Sequence, residues 1–162
     1  KRQFIIAGDR SFVVDTGPGS PRVIRRLGLP LNNLEAVLLT HFHGDHISAL
    51  GDVNFNSWVA GRGKKLTVMG PEGVDLVVNG FNQAYSLDSS YRTRHHGWDI
   101  LPLEYSVMQS KTIDAGLVFE EDELSIRAFR VDHSPIEPAV GYRFDYKGRS
   151  VAVSGESIVT KD

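Results

Sequence analysis

Residues His41 to His46 hold three imidazoles and one carboxylate within six positions, the densest group of metal-binding side chains in the chain. Imidazole nitrogen suits zinc and related transition metals, and an added carboxylate is typical of catalytic rather than purely structural sites. A histidine-rich surface loop is the alternative, but three of the six histidines of the whole chain fall here. The run therefore predicts a metal centre with His41, His43, Asp45 and His46 as ligands.

The spacing within this run predicts two adjacent metal positions. In extended backbone alternate side chains share a face, so the first two histidines can bind one ion together. Gly44 would let the backbone turn, so that the last two ligands project towards a second ion. An apolar run over residues 35–39 predicts a buried strand before the motif, and a helix is expected from Ile47. The ligands would thus lie at a strand end, where catalytic residues are usually presented.

Three further residues follow predicted strands and could complete the site. His133 comes just after a strand that ends at residue 131, and a two-histidine site needs a third nitrogen ligand, although a lone histidine there is often structural. Glu156 follows the last strand and a glycine, where its carboxylate could bridge two metals or simply be solvated. Asp15 could cap the next glycine-rich turn, but we expect it to orient a ligand histidine through a hydrogen bond instead.

A polar segment over residues 87–102 is predicted to be irregular and carries Arg92, Arg94, His95 and His96. It is either a solvated loop or a loop that faces the substrate. In the second case its arginines would hold an anionic group through bidentate hydrogen bonds.

The composition limits the class of protein. A chain of 162 residues with 41% hydrophobic content can bury one core, so residues 1–162 are predicted to form a single domain. The net charge of −2 argues against a global attraction to nucleic acid, although a local basic groove stays open. The absence of cysteine excludes disulfides and thiolate ligands. No apolar run is long enough to cross a membrane, so we expect no membrane partner. A cytoplasmic location is favoured, with the start of the chain left open, and a homo-oligomer is a further expectation.

Hydrophobic patterns predict an α/β sandwich on a mixed sheet. Helices are expected from Ser20-Pro21, with the serine as the N-cap, from Ile47, and from Pro71 to Tyr85. Strands are expected at residues 4–7, 11–15, 35–39, 66–69, 103–107, 117–120, 124–131, 140–146 and 150–154.

The His41–His46 run resembles the HxHxDH signature of the metallo-β-lactamase fold superfamily. The chain is most similar to its ribonuclease Z and arylsulfatase-like branch, through residues 12–17, 131–134, 140–144 and 150–156. The resemblance implies an αββα sandwich with mixed sheets. It also implies six metal ligands: His41, His43 and His133 on one ion, Asp45 and His46 on a second, and residue 156 between them.

Two features depart from the family pattern. The bridging residue is normally aspartate, and the extra methylene of Glu156 would move the carboxylate by roughly 1.5 Å. Family members also supply a final histidine to the second ion, whereas no histidine follows His133 here. We therefore expect a weakened second site, and a chain that is a fragment of a longer domain and incomplete at both termini.

The function expected from these observations is metal-dependent hydrolysis of an ester-type bond. One or two Zn²⁺ ions, with Mn²⁺ or iron as alternatives, would supply a metal-bound hydroxide at neutral pH. Asp45 would be the catalytic residue that orients or deprotonates the water. A small anionic ester, such as a phosphodiester or aryl sulfate, is favoured as substrate over RNA, because no Gly- or Lys-rich arm is visible. The alternatives are tRNA 3′ processing of the ribonuclease Z type and a non-catalytic metal-binding domain.

Overall fold

The computed structural model describes residues 1–158, and within them two β-sheets stack face to face. The first sheet has the strand order β1-β2-β3-β4-β5 and the second β6-β7-β8-β9. The strands of the first sheet are β1 (Gln3–Ala7), β2 (Arg10–Val14), β3 (Leu34–Leu38), β4 (Leu66–Gly70) and β5 (Met108–Thr112). Those of the second are β6 (Gly116–Glu121), β7 (Leu124–Arg130), β8 (Val140–Tyr146) and β9 (Arg149–Val153). The helices are α1 (Ser20–Arg26), α2 (Gly44–Ile47), α3 (Leu50–Val59) and α4 (Val74–His96).

The first sheet is mixed and the second is an antiparallel meander. A tight turn joins β1 to β2 in an antiparallel hairpin, while β2, β3, β4 and β5 pair in parallel. Parallel neighbours need crossover connections, and the helices provide them. Because the carboxyl ends of β2, β3 and β4 lie at one edge, the segments that follow these strands emerge there together.

Two hydrophobic clusters explain the layering. Alternate residues of β2 point to opposite faces: Phe12 and Val14 contribute to the core between the sheets, whereas Val13 contributes to the core under the helices. Tyr142 of β8 fills the first cluster from the opposite sheet. The described residues thus form three layers, helix, sheet and sheet. The predicted sandwich with mixed α/β order is confirmed.

Most predicted elements are found within one or two residues of their expected limits, but the segment after residue 86 is different. It was predicted to be irregular, whereas α4 continues to His96 and ends at Gly97, with φ of 98°. Buried Ser89 and Thr93 continue the inward face of the helix with small polar side chains, so apolar periodicity does not reveal it. No helix in the described residues is both long and apolar enough to cross a membrane.

Two smaller predictions were also wrong. The expected strand at residues 103–107 is a short 3-10 helix over Leu103–Tyr105, and the strand begins at Met108 instead. This strand is mostly exposed at the edge of its sheet, so it lacks an apolar pattern. Ser20 is not the N-cap of α1: Gly19 holds that position, and the Ser20 hydroxyl donates to the carbonyl of Gly17 at 2.6 Å.

Candidate metal centre

The metal loop, residues 40–46, leaves the first sheet at the carboxyl end of β3. The backbone N–H of Leu39 still bonds to β4, and α2 begins after His43, whose backbone is extended. Gly44 is not among the glycines with positive φ, so the change of direction comes from the start of α2 rather than from a special glycine conformation. The predicted role of Gly44 in the turn was therefore wrong.

The second sheet contributes the other side of the site. The N–H of Val140 donates to the carbonyl of Thr40 at 3.0 Å, which joins β8 to the metal loop. His133 follows β7 and Glu156 follows β9, and the N–H of Ile158 donates to the carbonyl of Asp132 at 2.9 Å. The site therefore lies where the two sheets meet at one edge.

The first ligand cluster contains His41, His43, His133 and Glu156, with one ligand atom from each lying within 4.8 Å of all the others. His41 Nε2 lies 3.0 Å from His43 Nδ1. His133 Nε2 lies 3.3 Å from Glu156 Oε2, and His41 Nε2 lies 4.0 Å from the same oxygen. Because ligand nitrogens around a tetrahedral zinc ion are separated by about 3.3 Å, this spacing suits one shared ion.

The second ligand cluster contains Asp45, His46 and Glu156. His46 Nε2 lies 3.5 Å from Asp45 Oδ2 and 3.6 Å from Glu156 Oε1. Glu156 thus turns one carboxylate oxygen to each cluster. The longer side chain of glutamate does not remove the carboxylate from either one.

The donor atoms fit divalent ions of the zinc type. Within residues 1–158, the buried nitrogens His46 Nε2 and His133 Nε2 have no hydrogen-bond partner. A buried polar nitrogen without a partner is costly, and a metal ion would satisfy it. Three imidazoles with a carboxylate, and a carboxylate pair with one imidazole, are both donor sets that suit such ions.

Asp15 binds the ring nitrogen of His46 that faces away from the second cluster. Its Oδ2 lies 2.8 Å from His46 Nδ1, and its Oδ1 accepts the N–H of Thr40 at 2.9 Å. Asp15 adopts the left-handed conformation, with φ of 59°, in which aspartate is one of the few tolerated residues. Donation by His46 Nδ1–H to this carboxylate leaves Nε2 with its lone pair directed at the second cluster.

Thr40 performs a similar function for His41, although no pattern in the sequence indicates it. Its hydroxyl lies 3.0 Å from Asp15 Oδ2 and 3.1 Å from His41 Nδ1. A hydroxyl that donates to the carboxylate can accept from His41 Nδ1–H, which leaves His41 Nε2 free for a metal. One buried network, Asp15 and Thr40, therefore sets the tautomer of one histidine in each cluster.

The electrostatics favour the forms that bind metal. Burial, together with the neighbouring histidines, lowers the pKa of His41 to about 4, so this ring is neutral at physiological pH. An ion pair with the Lys1 ammonium is the main cause that lowers the pKa of Glu156 to about 2. Burial raises the pKa of Asp15, while hydrogen bonding to Thr40 and the charge of His46 oppose that shift.

The four residues predicted to grip an anionic substrate lie elsewhere, at the α4 end, residues 92–97. The start of α4 is beside the metal loop, since a Cβ on Gly73 would lie 3.3 Å from Phe42. A helix of 23 residues is about 35 Å long. Already at Asn82, well before its end, the helix bonds to Met108 at the opposite end of the sheet. The α4 end therefore lies away from the metal loop.

The side chains at the α4 end make local contacts. Arg92 pairs with Asp88 at 2.9 Å and stacks on Phe55 at 4.4 Å, and neither ligand cluster includes a residue of this segment. No contact here supports substrate binding by Arg92, Arg94, His95 or His96, which stays a prediction.

The chain matches a known protein family over most of its length. Residues 4–161 match the family model of the metallo-beta-lactamase superfamily. A ribonuclease Z of Mycolicibacterium gilvum (strain PYR-GCK) is 37% identical over 155 residues, which are 94% of this chain and 53% of that protein. The chain thus spans about half the length of the curated relatives it matches.

Solved structures show the same fold. Human tRNase Z, short form, superposes with a TM-score of 0.68 at 19% identity, covering 96% of this chain and 61% of that one. The metallo-beta-lactamase fold protein YhfI from Bacillus subtilis gives 0.64 at 17% identity, covering 99% and 56%. The family and fold expected from the His41–His46 run are confirmed: this chain belongs to the metallo-beta-lactamase superfamily.

Proposed function

We propose that this chain is the metal-binding part of a hydrolase that cleaves phosphodiester bonds in RNA, as a ribonuclease Z would. The observation that carries the proposal is the position of Glu156, with one oxygen 3.3 Å from His133 of the first cluster and the other 3.6 Å from His46 of the second. Two metals that share a carboxylate are a common arrangement for phosphoryl chemistry.

Six residues would hold the metals in this proposal. They are His41, His43 and His133 for the first ion, Asp45 and His46 for the second, and Glu156 for both. When bound, the ions would supply an activated water and neutralise charge on the scissile phosphate. Zinc suits these donors best, with manganese or iron as alternatives.

Asp45 is proposed to orient the attacking water and accept its proton. Its side chain is 59% exposed, in contrast to the buried ring of His46 beside it, so its carboxylate is open to the solvent side of the second cluster. Asp15 and Thr40 would keep the histidines in the correct tautomer without touching the substrate. In this proposal the exposed carboxylate of Asp45 transfers the proton, and the buried carboxylate of Asp15 aligns the ligand histidines.

RNA is now the preferred substrate class. The sequence favoured a small anionic ester over RNA. The comparisons do not support this ranking, because relatives that match 94% of the chain are named ribonuclease Z. A small anionic ester is the second candidate. The open approach to Asp45 fits either one. The single domain, the oligomeric state and the cytoplasmic location stay predictions.

The test uses the full-length protein that carries this chain. A labelled precursor tRNA with a 3′ trailer, a bis-aryl phosphate and an aryl sulfate would be incubated with the zinc-loaded protein. Cleavage of the tRNA at the trailer, with kcat/KM well above that for either small ester, supports the proposal. Faster turnover of a small ester would restore the second candidate. No turnover of any substrate by protein with bound zinc would favour a non-catalytic metal-binding domain.

A further inference from the structure

We propose that three arginines of α1, Arg22, Arg25 and Arg26, form a binding surface for the phosphate backbone of an RNA substrate outside the metal centre. The inference rests on the proposed function and adds to it a site for parts of the substrate away from the bond that is cut. None of these residues belongs to either ligand cluster.

The spacing of the arginines places them on one side of the helix. Positions separated by three and four residues share a helix face, and all three arginines are exposed. Ile24 is buried on the opposite side, where it joins the core under the helices. The orientation of α1 is therefore fixed by its apolar residues, and its basic face is directed to solvent.

In the described residues these three arginines have no carboxylate partner, in contrast to four other arginines of the chain. Arg10, Arg92, Arg130 and Arg143 each form an ion pair with an aspartate or glutamate. Within residues 1–158, no such pair involves the three arginines of α1; Arg25 donates to the neutral amide oxygen of Asn56. Guanidinium groups without an internal counter-ion are available for an external anion, and their planar donor array matches phosphate.

The segment that leads into α1 contacts the metal loop. The N–H of Thr16, just before α1, donates to the carbonyl of His46 at 2.6 Å. Gly17 packs so closely on the backbone of Asp45 that a Cβ there would overlap its carbonyl oxygen. The helix has seven residues, is about 10 Å long and begins three residues after Gly17, so its arginines lie on the element next to this junction.

The three arginines line a groove of about 400 Å³ between α1 and α3. It is also lined by Asn56 and by Asp52, the only acidic residue in its lining. Asp52 accepts a hydrogen bond from the hydroxyl of Tyr85 at 2.9 Å. Three cations thus face one carboxylate in a chain whose overall net charge is −2. This is the local basic groove that the composition left open.

The length of RNA explains why this surface would select it over a small ester. A nucleic acid carries phosphates on both sides of the bond that is cut, and neutralising them releases counter-ions, so each contact adds to affinity and to salt dependence. A bis-aryl phosphate carries a single phosphate, which the metals would hold, so it has no second phosphate for α1 to bind. The surface would therefore contribute to RNA cleavage and not to small-ester hydrolysis.

The experiment compares two triple variants of the full-length, zinc-loaded protein. R22A/R25A/R26A removes the proposed surface. K65A/R127A/R149A removes the same charge from three exposed positions outside α1 and is the matched control. R22A/R26A keeps the contact of Arg25 with Asn56, in case the triple variant does not fold. Precursor tRNA binding is measured across a salt series, and kcat/KM is measured for the tRNA and for a bis-aryl phosphate.

We expect R22A/R25A/R26A to weaken tRNA binding about tenfold or more and to lower the slope of log K against log salt by about 2 to 3. The ratio of kcat/KM for tRNA to that for the bis-aryl phosphate falls accordingly, and the control keeps its original slope. Unchanged tRNA binding, an equal loss in the control, or a changed oligomeric state without loss of tRNA binding would overturn the inference. Failure of the unaltered protein to cleave tRNA would instead overturn the proposed function.

Discussion

The metal loop and the α4 end are alike in composition but differ in what their side chains meet. In each, two histidine rings lie 4.8 Å apart, His41 with His43 and His95 with His96. Only the first pair converges with a third histidine and a carboxylate from the other sheet. Strand ends at a shared sheet edge bring distant segments together, whereas the end of a long helix projects away from them. A dense group of histidines predicts a metal site only where the fold brings further ligands from other segments next to it.

The largest difference is expected from removing each histidine pair. H41A/H43A deletes two ligands of the first cluster, so bound zinc should fall by at least one equivalent and hydrolysis should be abolished. H95A/H96A, which also removes two imidazoles, should keep the bound zinc. Metal content by inductively coupled plasma mass spectrometry and turnover of the labelled tRNA measure the two effects. Equal metal loss in both variants would remove the distinction between the regions.

A change at Glu156 tests whether the two clusters are coupled. Glu156→Gln keeps the length of the side chain and removes its charge, so affinity for the more weakly bound ion should fall by at least the ten- to hundredfold typical of partners that only support a ligand. Glu156→Asp keeps the charge and is the control. Zinc titration with a competing chelator gives both affinities. Two unchanged affinities in the glutamine variant would contradict a shared carboxylate.

The third comparison is between two buried threonines, Thr40 in the metal loop and Thr93 at the α4 end. Thr40→Val removes the hydroxyl between Asp15 and His41, and metal affinity should fall about tenfold because the His41 tautomer is no longer fixed. Thr93→Val at the α4 end removes the donor to the carbonyl of Leu101. It should cost about 1–3 kcal/mol in the free energy of unfolding without changing metal affinity. Chelator titration and urea unfolding separate these outcomes, and Thr40→Ser should retain the unaltered affinity.

The smallest effect in the metal loop is expected at its glycine. Gly44 has no positive φ and open space around a Cβ, so Gly44→Ala should leave metal affinity nearly unchanged. Gly97 at the α4 end has φ of 98° and ψ of 148°, a conformation open mainly to glycine. Gly97→Ala should cost about 1–3 kcal/mol in the free energy of unfolding. Thermal unfolding and zinc titration compare them, and a large loss at Gly44 with none at Gly97 would reverse the conclusion.

The sequence predicted the parts of the site that depend on local pattern. The His41–His46 run needs no tertiary information to be identified, and His133 and Glu156 follow strands with clear apolar patterns. The role of Thr40 depends on Asp15, 25 residues earlier, and a single threonine has no distinctive pattern. The same limit applies to α1, whose basic face becomes informative only when the ion pairs among residues 1–158 are known.

The fold was predictable where apolar residues repeat and not where polar residues are structural. Thr93 is buried in α4 and bonds to the carbonyl of Leu101, so the helix continues through a segment that reads as a polar loop. Strand β5 is held by its pairing with β4, although four of its five residues are exposed. In both cases tertiary contacts, rather than hydrophobic periodicity, fix the secondary structure.

The central claim is that Glu156 lies between two metal positions, one with His41, His43 and His133 and the other with Asp45 and His46. The most direct test is anomalous X-ray diffraction at the zinc edge from crystals of the full-length, zinc-loaded protein. The account predicts two anomalous peaks, one on each side of the Glu156 carboxylate. A single peak that Glu156 does not contact, or peaks at His95 and His96 alone, would contradict it.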